Sequence, residues 1–202
     1  MSPAVDRVLE LARRGPVTAR DLAALGVPRA HLQRLCARGD LVRVGRGVYR
    51  GADSEATELA SVAEVAKRVP HVVVCLLTAL QIHGLTTELP HEVWVLIHTR
   101  ARTPHIQGHR LHVVRASGAA ATYGVEARTI EGVEVKVTSP AKTVADCFRY
   151  RDHVGLEVAL AALRDYRRKG RGRRGFSVDA LVEAARADRV FSVVRPYLEA
   201  LA

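Results

Sequence analysis

Apolar residues recur at helical spacing near the start of the chain. The apolar stripe of a first helix consists of Val5, Val8, Leu9, Leu11 and Ala12. This helix ends at Gly15-Pro16, because glycine and proline together break a helix. Thr18 caps a second helix over 19–25, and a third helix runs from 28 to 38. The pattern therefore predicts three short helices in succession.

Two short runs of strand-forming residues come next, at 41–44 and 48–50. They flank the turn Gly45-Arg46-Gly47, which predicts a β-hairpin. The order helix, helix, tight turn, helix and hairpin within residues 1–52 is typical of a winged helix-turn-helix domain, in which the hairpin is the wing.

The remaining pattern mixes strands and helices. Residues 53–70 contain an amphipathic stretch that predicts a linking helix. Within residues 71–202, a buried strand is predicted at 93–97 and a hairpin around Glu131-Gly132. Helices follow from Ser139 onward. We therefore expect an α+β fold, with an N-terminal winged helix-turn-helix domain followed by a mixed α/β C-terminal domain with a helical tail.

Charge is distributed unevenly along the chain. The 31 Lys and Arg residues exceed the 21 Asp and Glu residues, so the net charge is +10 at pH 7. Residues 1–52 carry +6, residues 53–146 carry −1 and residues 147–202 carry +5. The basic excess, which favours a polyanionic partner, therefore lies at the two ends of the sequence.

The sequence shows no membrane or secretory signature. No stretch approaches the roughly 20 apolar residues of a membrane span, and the first residues lack a basic region followed by an apolar core. Cys36, Cys75 and Cys147 are odd in number and far apart, which predicts free thiols in a reducing compartment. We expect a cytoplasmic protein without a membrane partner.

The predicted third helix and wing carry side chains suited to DNA. On a helical wheel Leu32, Leu35 and Cys36 share one face, which is expected to pack on the first two helices. The other face combines small residues with arginine and glutamine, which can read guanine and adenine edges in the major groove. The predicted DNA contacts are Arg29, His31, Gln33, Arg34, Arg38, Arg43, Arg46 and Arg50. A solvated basic face and a protein-docking winged helix are the alternatives.

Several stretches of the chain carry a family resemblance. They are residues 39–43 with 47–49 in the wing, 75–85, 90–94, 139–148 and 195–201. The most specific are the Leu-x-x-His-Gly pattern that ends at Gly84 and the Ser-Pro-Ala-Lys-Thr pattern that starts at Ser139 and continues to Asp146. Over residues 8–201 the sequence resembles the AbiEi family, the antitoxins of type IV abortive-infection toxin–antitoxin systems.

The resemblance implies a bacterial transcriptional autoregulator. Its winged helix is then expected to bind double-stranded DNA at repeats in the promoter of a two-gene operon. Its C-terminal domain, residues 71–202, is then expected to counteract a cognate nucleotidyltransferase toxin, with or without a stable complex.

A second basic cluster lies in the last quarter of the chain. Its members are Arg167, Arg168, Lys169, Arg171, Arg173 and Arg174. We expect a glycine-rich loop here. The sequence leaves open a solvated loop, a non-specific DNA contact, and a contact to an acidic toxin or to the tRNA that a toxin handles.

An enzyme is the alternative to a DNA-binding antitoxin. Glu134 and Lys136 match half of a metal-dependent nuclease motif, with Glu126 as the nearby acid. A toxin-modifying kinase with an atypical active site is also open. Glu134 and Lys136 share one face of a predicted strand, however, as an exposed ion pair does.

Two other short patterns have structural explanations. Ser139 and Lys142 match a short nucleophile pattern, but Ser139 before a proline is typical of a helix cap. His109 and His112 have the spacing of a metal pair but no cysteine near them. We expect no catalytic residue, no metal and no cofactor.

Overall fold

The computed structural model describes residues 3–54, 57–170 and 177–200. The chain forms two compact units. The first unit consists of Met1–Pro70, His105–His109 and Arg128–Val135, and the second unit consists of His71–Pro104, Arg110–Ala127 and Lys136–Ala202. Two segments beyond Pro70 therefore belong to the first unit, which the sequence did not indicate.

The first unit contains short helices and a small antiparallel sheet. Its elements are α1 (Pro3–Arg14), β1 (Val17–Thr18), α2 (Ala19–Ala24), α3 (Ala30–Ala37), β2 (Leu41–Gly45), β3 (Val48–Gly51) and α4 (Ala60–Arg68). The strand order is β1-β3-β2, and both pairings are antiparallel. The three helices and the hairpin occur in the predicted order, and β1 is an additional strand.

Helix α2 begins where the sequence predicts because Asp21 stabilises its first turn. The Asp21 carboxylate accepts hydrogen bonds from the backbone nitrogen and the hydroxyl of Thr18, both at 2.7 Å. The Nζ atom of Lys67, in α4, donates to the other carboxylate oxygen at 2.7 Å. Burial raises the pKa of Asp21, but the hydrogen bonds from Lys67 and Thr18 outweigh it and hold that pKa below its ordinary value. Asp21 thus ties α4 to the start of α2.

The core of the first unit lies between its first three helices. Leu32 and Leu35 of α3 pack in one cluster with Val8 of α1 and Leu22 of α2. All four side chains are at most 2% exposed. Removal of this apolar area from water holds the short helices together, because helices of this length are not stable alone.

The second unit is built around a mixed sheet with helices after it. Its elements, with the hairpin that continues into the first unit, are β4 (Val73–Val74), α5 (Leu76–His83), β5 (Val93–His98), β6 (Leu111–Ala116), α6 (Ala119–Thr122), β7 (Val125–Ile130), β8 (Val133–Thr138), α7 (Pro140–Arg149), α8 (Arg151–Val154), α9 (Leu156–Gly170), α10 (Val178–Ala187) and α11 (Phe191–Ala200). The strand order is β6-β5-β4-β8-β7. Strand β5 pairs parallel with β6 and antiparallel with β4, and β4 pairs parallel with β8.

Helix α7 is the central helix of the second unit. It packs against α5, α9 and α10. Pro140 occupies its first turn, and the Ser139 side chain accepts a hydrogen bond from the backbone nitrogen of Lys142 at 3.3 Å, as expected of a capped helix start. The mixed α/β architecture with a helical tail is therefore confirmed. No helix within the described ranges is both long enough and apolar enough to cross a membrane.

Candidate nucleic-acid interface

Helix α3 has one buried face and one exposed face. Leu32 and Leu35 lie in the core of the first unit, and Cys36 beside them is half-buried. The exposed residues of the helix are Ala30, Gln33, Arg34 and Ala37. The two faces assigned by the helical wheel are confirmed by this burial pattern. An exposed face of small residues and long hydrogen-bond donors fits the width of a major groove.

Three predicted contacts lie at the ends and edge of this face. Arg29 is exposed immediately before the first residue of α3, and His31 is half-buried. Arg38 follows the helix, and its Nε atom lies 3.0 Å from the carboxylate of Asp40. A DNA phosphate would therefore share Arg38 with an acidic neighbour.

The hairpin β2–β3 brings two further arginines to the surface. The Nε atom of Arg43 donates to the carbonyl oxygen of Gly45 at 3.1 Å, which orients the guanidinium along the hairpin. Arg46 is exposed in the turn. Gly47 next to it has φ of 74°, a left-handed conformation that favours glycine. Both arginines have the exposure that a contact to the DNA backbone requires.

Arg50 differs from the other predicted contacts. The residue is only 5% exposed, and its guanidinium forms an ion pair with Glu131. Glu131 also accepts hydrogen bonds from the backbone nitrogen and the hydroxyl of Thr57, at 3.2 and 2.5 Å. The structure corrects the prediction for Arg50, because a buried guanidinium that is paired with a carboxylate does not reach a DNA phosphate.

The second basic cluster begins inside a helix. Helix α9 continues to Gly170, so Arg167, Arg168 and Lys169 lie in its last turn and not in the predicted loop. Arg167 is exposed, and Arg168 pairs with Asp165 at 2.9 Å. The remaining predicted contacts of this cluster lie outside the described residues: Arg171, Arg173 and Arg174.

Lys169 has a structural role in the second unit. Its Nζ atom donates to the carbonyl oxygen of Gly84 and lies 3.4 Å from that of His83. These carbonyl groups are at the end of α5, where the helix leaves them without internal partners. Lys169 therefore stabilises the C-terminus of α5, and this corrects its prediction as a nucleic-acid or toxin contact.

The Ser-Pro-Ala-Lys-Thr stretch forms a buried charged cluster that the sequence did not reveal. The Nζ atom of Lys142 pairs with the carboxylate of Asp146 in the same helix and with that of Asp188, at 2.8 Å, after α10. The three side chains are at most 1% exposed. The one available signal was a Lys and an Asp four residues apart in an otherwise apolar helix.

Burial controls the protonation of this cluster. It raises the pKa of Asp146 to about 7, although the ammonium of Lys142 acts in the opposite direction. Burial raises the pKa of Asp188 as well. Burial alone would lower the pKa of Lys142, but its two carboxyl partners outweigh that effect and raise it. Lys142 thus stays charged and joins α7 to the end of α10.

The two histidines with metal-like spacing have separate partners. His109 lies 2.9 Å from the carboxylate of Glu64 in the first unit. His112, in the second unit, stacks on Trp94 with ring centroids 3.6 Å apart. Within the described part of the chain, no group of three His, Cys, Asp or Glu side chains could hold a metal ion.

The residues proposed for a nuclease lie on β8. Glu134 and Lys136 are both exposed, alternating with buried residues of the strand. Their exposure agrees with side chains on the solvated face of a sheet.

Comparisons with known proteins agree with the N-terminal geometry. The family model described as transcriptional regulator, AbiEi antitoxin matches residues 6–50. Among solved structures, the crystal structure of the RV2827C protein from Mycobacterium tuberculosis is similar in fold, with a TM-score of 0.53 and 15% sequence identity. The match covers 98% of this chain and 82% of that chain. No curated protein matches. Residues 6–50, which hold α2, α3 and most of the wing, are thus identified with the AbiEi antitoxin family of transcriptional regulators, as the resemblance predicted.

Proposed function

We propose that this protein is a DNA-binding antitoxin of a type IV toxin–antitoxin system and represses its own operon. The family match over residues 6–50 supports a transcriptional regulator and antitoxin. The observation that carries DNA binding is the exposed face of α3, with Gln33 and Arg34, inside that matched segment. The proposal places residues 1–52 as a winged helix-turn-helix, 53–70 as a linking segment and 71–202 as the antitoxin domain.

In this proposal α3 lies in the major groove. The Arg34 guanidinium donates two parallel hydrogen bonds to guanine O6 and N7, and Gln33 pairs with an adenine edge. Arg29, Arg43 and Arg46 contact phosphates on either side and fix the register of the helix without reading sequence. Arg50 has no part in these contacts because it is buried with Glu131.

The promoter repeats expected for this family determine how many molecules bind. Each repeat takes one recognition helix, so two copies of the chain occupy adjacent half-sites. Each copy contributes a strongly basic N-terminal segment, and its affinity falls with salt because bound phosphates release their counterions.

The antitoxin step is assigned to the second unit, acting on a nucleotidyltransferase toxin in the cytoplasm. The described part of the basic cluster leaves Arg167 exposed for a toxin or nucleic-acid contact. The buried thiols of Cys75 and Cys147 and the free thiol of Cys36 fit a reducing compartment.

A pair of assays on the full-length chain tests both steps. Gel shifts on its own promoter are expected to show binding that random DNA does not match. Co-expression with the nucleotidyltransferase of the adjacent gene is expected to restore growth. Arg34→Ala is expected to lose promoter preference and keep the rescue, because the second unit is unchanged. Equal binding of promoter and random DNA contradicts the repressor step, and failure of the wild-type chain to restore growth contradicts the antitoxin step.

A further inference from the structure

A cleft of about 580 Å³ lies beside the wing in the first unit. Three stretches of chain form it: residues 46–48 of the wing, 67–69 at the end of α4, and 105–107. The last stretch belongs to the first unit although it lies outside the predicted DNA-binding domain. The cleft therefore extends the surface of the wing with residues that are remote in sequence.

The cleft carries positive charge without matching carboxylates. In the described chain, neither Arg46 nor Arg68 forms an ion pair with an acidic side chain. Lys67 also lines the cleft, but its charge is balanced by Asp21 at 2.7 Å. Two guanidinium groups thus give the cleft a net positive potential, and His105 lines it beside them.

Arg68 is held in a fixed position with unused donors. Its Nη1 atom donates to the backbone carbonyl of Gln107 at 3.0 Å. Its Nε and Nη2 atoms have no hydrogen-bond partner among the residues that the structure describes. A Cβ atom at Gly45 would overlap this guanidinium, so the absence of a side chain there lets Arg68 pack against the wing. Orphaned donors on a charged group favour an anionic acceptor.

We infer that this cleft binds a DNA phosphate next to the wing, through Arg68 and Arg46. The inference rests on the proposed DNA binding of α3 and adds a backbone contact to it. A phosphodiester fits the chemistry because its oxygens accept from a planar guanidinium, which binds phosphates well. The exposed Arg46 connects the cleft with the proposed α3 interface, so the ligand is a phosphate of the bound duplex.

Charge substitutions at Gln107 test this site without removing Arg68. Gln107 is exposed, and it holds Arg68 through its backbone carbonyl, which a side-chain change retains. Gln107→Lys is expected to tighten binding of promoter and random DNA alike and to steepen the slope of log affinity against log salt by up to about 0.9. Gln107→Glu is expected to weaken both several-fold, and Arg68→Ala to reduce the slope by about 0.9.

Matched variants at Thr87, an exposed loop residue of the second unit, measure the effect of net charge alone. Thr87→Lys and Thr87→Glu are expected to change affinity less than the Gln107 pair does. Inorganic phosphate, titrated at constant ionic strength, is expected neither to raise the Tm of the protein nor to displace DNA.

The outcomes separate this inference from the proposed function. If Gln107 and Thr87 variants behave alike while Arg34→Ala loses promoter preference, the cleft is not a DNA contact and the proposed function stands. A Tm increase with inorganic phosphate that Arg68→Ala abolishes, without a change in DNA affinity, assigns the cleft to a free anion and overturns the inference. If the wild-type chain binds no DNA, both fail. Should Arg68→Ala not fold, the Gln107 pair still decides.

Discussion

Arg50 at the end of β3 and Glu131 in the turn of the β7–β8 hairpin form a buried ion pair in the first unit. Their side chains are 6% and 9% exposed. Glu131 adopts a left-handed backbone conformation, with φ of 46°, in that turn. The pair explains why Arg128–Val135 belongs to the first unit: the hairpin turn supplies the carboxylate that the buried guanidinium requires.

Loss of one partner of this pair is expected to destabilise the protein strongly. Glu131→Ala leaves a buried guanidinium unpaired, which costs about 3–5 kcal/mol of unfolding free energy. Urea denaturation measures the change. Glu10→Ala is the control, since Glu10 pairs with Arg14 at 2.5 Å on an exposed surface and is expected to cost less than about 1 kcal/mol. Equal small losses from both variants would contradict the structural role of the pair.

Arg46 and Arg50 are expected to differ in DNA binding although both lie in the wing region. Arg46→Ala removes an exposed guanidinium and is expected to weaken promoter and random DNA to the same degree. Arg50→Lys keeps a positive charge beside Glu131 and is expected to leave affinity unchanged. Fluorescence anisotropy with labelled duplexes measures both. A loss of affinity in Arg50→Lys as large as that in Arg46→Ala would show that Arg50 contacts DNA after all.

The buried cluster of the second unit predicts a pH dependence of stability. The pKa of Asp146 is about 7 in the folded protein and near 3.8 in the unfolded chain, so the folded state binds the extra proton between these values. The contribution of this group is therefore complete below about pH 3.8 and is lost as the pH rises through 7.

The pH prediction is checked with Asp146→Asn, which keeps the shape and removes the titration. Unfolding free energies of both proteins, measured from pH 4 to pH 8, give the difference due to Asp146. The stability of the wild type relative to the variant is expected to fall as the pH rises. A relative stability that increases over this range would mean that Asp146 is ionised throughout.

Local patterns predicted the interface better than they predicted its neighbours. Helical periodicity and capping residues suffice for α3, because Leu32 and Leu35 must face a core and Arg34 then faces solvent. The same patterns placed Arg50 on the surface, since nothing near it in sequence shows that Glu131 supplies a buried partner. Burial of one strand end by a distant turn is a tertiary effect that periodicity does not record.

The C-terminal half shows the same limit. The mixed sheet and helical tail follow from strand and cap signals, but the charge of Lys142 resembled a surface residue. Its burial depends on Asp188, which only the packing of α10 on α7 brings close. Lys169 likewise meets α5 through tertiary packing, so its place in a basic run gave no hint that it caps a helix.

Arg34 is expected to carry base preference. Arg34→Ala removes a bidentate base contact and is expected to cost about 1–3 kcal/mol on the promoter while changing random DNA little. Competition binding with single-base variants of the promoter measures the preference. Arg195→Ala, on the exposed surface of α11, is the control and is expected to keep it. Equal losses on every sequence would mean that α3 does not read bases.

Binding of the full-length chain to its own promoter and to a scrambled duplex, titrated over several salt concentrations, tests the central claim most directly. The account predicts about a thousandfold or greater preference for the promoter, and affinities for both duplexes that fall steeply with salt. Equal affinity for the two duplexes at every salt concentration would contradict a sequence-specific repressor.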